Sequence, residues 1–309
     1  MQISSFKKKK KKNFVQLNED DVMSNQITTA FVQQFSSNVQ LLSQQRGSLL
    51  RNCVSEESVT GEKAFFDQVG SVAAVKRSSR HGDTPILETP HSRRMVTMDS
   101  YEWADLIDDA DKVRMLIDPT STYAQAAAAA MGRAMDDAII DAALGTAKTG
   151  KSGATSTAFD SNNVIAAGST DLTLAKLIEA KKILDLNSVD PSIQRYIALG
   201  PDQLESLLNT TEVASADFNT VKALVQGQVD TFLGFKFVLT TRLGIASNIR
   251  DCFVWAMDGI KLAVGKDVQA RIDERADKSY STQVYYSATF GATRMEEAKV
   301  VKIQCDESA

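Results

Sequence analysis

The stretch MDSYEWADLIDDADKVRMLIDPTSTYAQAAAAAMGRAMDDAIIDAAL, Met98 to Leu144, constrains the fold more than any other part of the chain. An acidic, aromatic-bearing segment runs into Asp118-Pro119, and a long alanine-rich run follows. Proline disfavours helix in the residue before it, and Thr120 or Thr122 offers a cap for a new helix. Alanine has the best helix propensity, so Tyr123 to Leu144 is expected to form one helix despite Gly132. At ~1.5 Å per residue this is a rod of about 33 Å. Ala127, Met131, Met135, Ala138 and Ala142 make its apolar stripe. Arg133, Asp136, Asp137 and Asp141 mark the wet side, with Arg133 and Asp137 spaced to pair one turn apart. No catalytic signature accompanies the rod, and its small side chains let other elements approach closely.

The 309 residues suffice for two domains or one elaborated domain. An apolar fraction of 43% and a charged fraction of 24% are those of a globular chain, not a disordered one. No run of eighteen apolar residues exists, so no membrane span is expected. Cys53, Cys252 and Cys305 lie far apart without CxxC pairing, which fits free thiols better than a disulfide framework or a zinc site. A net charge of −4 argues against a chain that wraps nucleic acid with its whole surface. Residues 1–22 stand apart, with six consecutive lysines from Lys7 to Lys12. They read as a solvated tail, as a basic arm on nucleic acid, or as an over-extended start with Met23 the true first residue.

Residues 24–52 are polar and Gln/Ser-rich, with Phe31, Phe35, Val39 and Leu42 at helical spacing. That stripe is too thin to make a core, so the segment is expected to be an arm lying on a partner. From Gly61 to Trp103 strand-like material is expected at Lys63 to Phe66 and Val69 to Val75, and again at Arg94 to Trp103, with breakers at Gly82, Pro85 and Pro90 between. They read as a long two-stranded arm with an irregular tip. An isolated hairpin is marginal in water, so something else must pack on it. Charge points the same way. Lys76, Arg77, Arg80, Arg93 and Arg94 make the arm basic, whereas Asp99, Glu102, Asp105, Asp108, Asp109 and Asp111 form a run of acids with no base among them. Blocks of opposite sign in one chain are suited to pair between copies, closing rings or shells. Two solvated surfaces are the plain alternative.

Beyond the rod, a second amphipathic helix is expected over Leu172 to Leu186, with Leu174, Leu177, Ile178 and Leu184 inward and Lys181 and Lys182 outward. A buried strand at Arg195 to Leu199 precedes a short helix at Asp202 to Leu208. Further strands are expected at Phe235 to Leu239, Phe253 to Ala256, Ile260 to Val264, Ser281 to Gly291 and Lys299 to Gln304. Asp258-Gly259 is a hairpin signal. Strands and helices do not strictly alternate, so the class is α+β. The match of Gly145 to Ser152 to GxxxxGK[ST] lacks the strand before it and the helix after it that a phosphate-binding loop needs. His81 and His91 lie at the arm tip without metal-ligand spacing. No catalytic residue, cofactor site or metal site is identified, and no enzyme is expected.

RRMVTMDSYEWADLIDDADKVRMLIDP with TSTYAQAAAAAMGRAMDDAIIDAALG, the segment YIALGPDQLESLL and the ending ATFGATRMEEAKVVKIQC resemble tailed-phage major capsid proteins of the Hong Kong 97 fold. The resemblance spans roughly Met23 to Cys305. It implies an N-terminal arm at 23–58, an extended β-hairpin loop at 59–103, a spine-helix peripheral domain at 104–192 with 290–309, and an axial domain at 193–289. It also implies hexamers and pentamers in an icosahedral shell around double-stranded DNA, assembled in the host cytoplasm, with a portal. There is no room for a cleaved scaffolding region, so a separate scaffolding protein is expected. Lys63 and Lys76 are the only loop lysines suited to a crosslink, and no partner for one is evident. The alternatives are an encapsulin-like nanocompartment shell of the same fold and, more remotely, a P-loop NTPase using Gly145 to Ser152.

Overall fold

The computed structural model describes residues 43–77, 79–80, 83–84, 86–108, 120–209 and 231–308, with backbone alone at 120 and 121. The amphipathic stripe expected at Phe31 to Leu42, and the lysine run, lie outside them. In chain order the first elements are β1 (Ser55–Ser58), β2 (Lys63–Val69), β3 (His91–Thr97) and β4 (Asp99–Ile107). The rod α1 (Thr120–Leu144) follows, then β5 (Ala147–Thr149), β6 (Thr155–Thr157) and β7 (Val164–Ile165). Next come α2 (Leu174–Leu186), β8 (Arg195–Leu199), α3 (Pro201–Asn209), β9 (Thr231–Phe232), β10 (Phe235–Leu239) and β11 (Ile245–Ala246). The chain closes with β12 (Ile249–Ala256), β13 (Ile260–Arg275), β14 (Ser281–Arg294) and β15 (Val300–Asp306).

Three sheets organise these elements. A seven-stranded sheet runs β7-β15-β12-β8-β10-β9, with β11 beside β12. A four-stranded sheet runs β1-β13-β14-β4, and a second one runs β2-β3-β5-β6. Every residue of β8 is buried, as its uninterrupted RYIAL pattern requires of a central strand. The rod crosses β14, β13 and β4. Its buried face follows an i, i+4 row, Ala127, Met131, Met135, Ile139 and Ala143. Ile139 and Ala143 thus take the places expected for Ala138 and Ala142, because the row drifts around a 3.6-residue helix. Tyr101 stacks on Phe290 beneath the rod, ring centroids 4.4 Å apart. Trp255, fully buried in β12, donates its indole N–H to Cys53 O at 2.9 Å. Each such large side chain contributes about 1.5–3 kcal/mol of burial.

Several expectations are corrected. The arm's second strand is not continuous from Arg94 to Trp103. β3 pairs antiparallel with β2 from Lys63↔Thr97 to Val69↔His91, whereas β4 leaves to pair with β14 from Phe290↔Asp99 to Thr282↔Ile107. The change of partner is a change of phase. Arg94, Val96 and Met98 are buried on even positions, and Tyr101, Trp103 and Ile107 pack inward on odd ones. A one-residue slip moves every side chain to the opposite face. The crossing needs Gly291, where a Cβ would overlap the backbone of Thr97. The first strand ends at Val69, so the expected continuation to Val75 is not a strand.

Asp258-Gly259 closes a turn through Gly259 N–H to Ala256 O at 2.8 Å, but it joins no hairpin. It carries the chain from β12 in one sheet to β13 in another. The sheets also cut across the division expected at residue 290. β13 and β14 lie with β4, and β15 lies inside the seven-stranded sheet beside β12. Finally, α2 buries Leu174, Leu177 and Leu184 as expected but departs from the expected pattern at two positions. Ile178 is 52% exposed, whereas Lys176 is buried with its ammonium donating to Ala167 O and Thr170 O at 2.8 Å and Gln304 O at 3.0 Å. Three carbonyls satisfy all three of its protons, which is what a buried lysine demands.

Candidate assembly interface

The arm is a ribbon only at its base. β3 is paired on both sides, with β2 on one and the β5–β6 hairpin on the other. That third and fourth strand supply the support an isolated hairpin lacks. Gly145 to Ser152, the phosphate-loop look-alike, forms β5 and the turn after it, so this stretch buttresses the arm. Beyond Gly70, whose N–H bonds Pro90 O at 2.8 Å, the arm carries exposed apolar side chains, Val72, Val75, Leu87 and Ile86, the last 93% exposed. Lys76, Arg77 and Arg80 are exposed beside them, Arg77 donating locally to Ser79 O at 2.8 Å. His81 lies outside the described residues.

The arm's other two cations sit differently. Arg93 pairs across the ribbon with Asp67 at 2.5 Å and stands over the Phe65 ring, 5.5 Å from its centre. This guanidinium holds the Asp67 carboxyl below the usual carboxylate range. Arg94, expected as an intersubunit contact, is instead buried at the arm's root. Its Nε donates to Met295 O at 2.8 Å and its Nη2 to Glu297 Oε1 at 2.9 Å. Glu297 also accepts from Nε of the fully buried Arg294. Arg294 Nη1 in turn donates to Ala143 O at 2.8 Å and Gly145 O at 2.7 Å. Those carbonyls are the unpaired C-terminal groups of the rod, where a cation is favoured. Arg94, Glu297 and Arg294 therefore tie the arm's root to the rod's end.

The acidic residues share one edge. β4 is the outermost strand of its sheet. Asp99, Glu102 and Asp108 are exposed and Asp105 is half-buried. Asp99 and Asp105 point to one face, Glu102 and Asp108 to the other, since side chains alternate along a strand. Leu106 sits among them, 42% exposed. Asp109 and Asp111 lie outside the described residues. Among the described residues, no ion pair joins Lys76, Arg77 or Arg80 to β4 within one subunit.

Residues missed in the sequence centre on Asp136, expected on the wet side of the rod but fully buried. Its carboxylate accepts from Leu49 N and Leu50 N at 3.1 Å each, and from Ser48 Oγ and Gln45 Nε2. Arg133 donates to Gln44 Oε1 at 2.9 Å and Gln45 O at 3.3 Å, and Asp137 pairs with Arg242. The expected Arg133–Asp137 pair is thus replaced by two longer-range ones. The overlooked signal is the row Gly132, Asp136, Ile140. Gly132 leaves room for main chain, and a carboxylate one turn on receives its amides.

Among the described residues no group of three or more His, Cys, Asp or Glu converges as metal ligands, and no helix is long and apolar enough to cross a membrane. Cys53, Cys252 and Cys305 are free and buried. Cys252 titrates well above an ordinary thiol, held there by its hydrogen bond with Cys305 and by burial.

No protein of curated function matches the chain. Solved structures do. The capsid of cyanophage P-SCSP1u superposes with a TM-score of 0.68 at 16% identity, covering 90% of this chain and 94% of that one. The capsid of Ralstonia phage GP4 gives 0.68 at 11% identity, covering 96% and 98%. The capsid of Helicobacter pylori bacteriophage KHP30 gives 0.67 at 11% identity, covering 96% and 100%. These likenesses show a shared α+β fold. The family model for phage capsid protein matches residues 27–307, nearly the whole chain, and with an arm, a buttressed root and a rod already in place, the chain belongs to the phage capsid protein family.

Proposed function

We propose that this major capsid protein builds the phage head shell by packing the arm of one subunit onto the acidic strand β4 of the next. Self-assembly into capsomers follows from its family. Hexamers and pentamers closing an icosahedral shell around double-stranded DNA, with a separate scaffolding protein and a portal, assembled in the host cytoplasm, are our reading. We assign the chain a structural role and no catalytic one. The single observation that carries the docking is the exposure of Val72, Val75 and Ile86 beside Lys76, Arg77 and Arg80 on the same projection. Apolar side chains gathered on one projection mark a contact surface. Flanking cations set what it contacts, and β4 offers Leu106 among acids. Asp109 and Asp111 extend the acidic run in sequence.

We also divide the chain by its sheets. β4, α1, β13 and β14 form the region that carries the arm, and the seven-stranded sheet with α2 and α3 forms the other. Docking is tested by exchanging charges. Arg77→Glu with Arg80→Glu is expected to abolish particles seen by electron microscopy while the subunit still folds. Adding Glu102→Lys and Asp105→Lys is expected to restore them. Unchanged particle yield in the first variant would show that the arm's charge only keeps it wet.

A further inference from the structure

We propose that residues 44–49 are a releasable strap, held on the rod by Asp136, that opens while the body of the subunit stays folded. Three observations carry this. Among the described residues, every hydrogen bond to Asp136 comes from this strap or from Leu50 directly after it. The carboxylate is buried because the strap covers it. Lifting the strap returns Asp136 to water, so the open state leaves no buried charge unpaired. A carboxylate held by groups of the rod itself would not have this freedom.

The contact surface has little to hold the strap besides those bonds. Gly132 meets the backbone of Gly47, and a Cβ at Gly132 would overlap it. Main chain lies against the helix at Gly132, and the strap side chains that reach the rod, Gln45 and Ser48, are polar and half-buried, so departure opens no apolar cavity in the core. Leu49 is 41% exposed, and the first apolar anchor is Leu50, fully buried. The cooperative body therefore begins at Leu50, and the strap in front of it is a local unit of lower stability. Arg133 adds two bonds, to Gln44 Oε1 and Gln45 O, both equally replaceable by water.

Trypsin needs several residues of extended chain around the bond it cuts, so cleavage after Arg46, whose side chain is already exposed, is limited by release of the strap's main chain, and cleavage after the fully buried Arg294 reads opening of the body. The experiment uses the full chain before assembly, with fragments quantified by mass spectrometry. Gly132→Ala is expected to raise the Arg46 rate by on the order of tenfold and leave the Arg294 rate unchanged. Equal Arg46 rates in the variant and the wild type would overturn the proposal. So would a parallel rise at both sites, because the strap would then be part of the cooperative body. If Gly132→Ala yields no folded protein, Gln45→Ala with Ser48→Ala is read by the same two rates and the same criteria.

Discussion

Arg93 and Arg94 are adjacent arginines with opposite fates. Arg93 lies on the open face of the ribbon, where its pair with Asp67 is screened by water. Arg94, one residue on, points into the root and meets Glu297 and a main-chain carbonyl. Arg93→Ala is accordingly expected to leave the thermal midpoint unchanged. Arg94→Ala removes one partner of a buried pair and is expected to cost about 3 kcal/mol, read as a lower denaturant midpoint at constant slope. The sequence shows both as basic residues on one arm. What separates them is the parity of a strand against a surface contributed by Met295 and Glu297, some two hundred positions away, and no local pattern encodes that surface. Asp136 is the same lesson within a helix. A carboxylate among alanines reads as solvent-facing until the strap that covers it is in view.

At the scale of elements, the pieces with strong local signals stand where the sequence places them. The alanine run forms the rod, and RYIAL forms the central strand. FKFVL forms β10, parallel to it in the register Phe235↔Arg195. The boundary at Met98 has no local signal of that strength, although the phase change from even to odd burial is written in the residues. It shows only once Tyr101 and Trp103 are known to face the rod. Asp258-Gly259 carries a hairpin's turn chemistry but not its pairing, since each flanking strand found longer partners. The crossing from β3 to β4 tests this reading. Gly291→Ala forces a methyl into the Thr97 backbone and is expected to destabilise the subunit by about 1–3 kcal/mol. A wild-type unfolding midpoint would mean that the strands do not cross there.

For the whole molecule, arginine–carboxylate pairs tie segments both near and distant in sequence. Arg51 holds Glu56 and Asp267, and Arg250 holds Glu307. In each case hydrogen bonding to the guanidinium lowers the carboxyl from its ordinary value. A lowered folded-state value means the unfolded chain binds protons first as pH falls. Stability from these pairs is therefore complete above the ordinary carboxylate range, about 4, and is lost as pH drops through the lowered values. Thermal midpoints of the subunit are expected to be flat near neutrality and to fall on the acid side. A midpoint that rises on acidification would contradict the pairing. Partial exposure of these groups keeps each contribution modest.

Assembly is the property the whole chain serves, and it is observed directly by cryo-electron microscopy of particles formed by the expressed chain. The account predicts closed shells in which the segment beyond Gly70 of one subunit lies on β4 of its neighbour, with Lys76, Arg77 and Arg80 facing Asp99, Glu102 and Asp105. Closed shells in which those arms project into solvent, or chains that stay monomeric at every ionic strength, would contradict it.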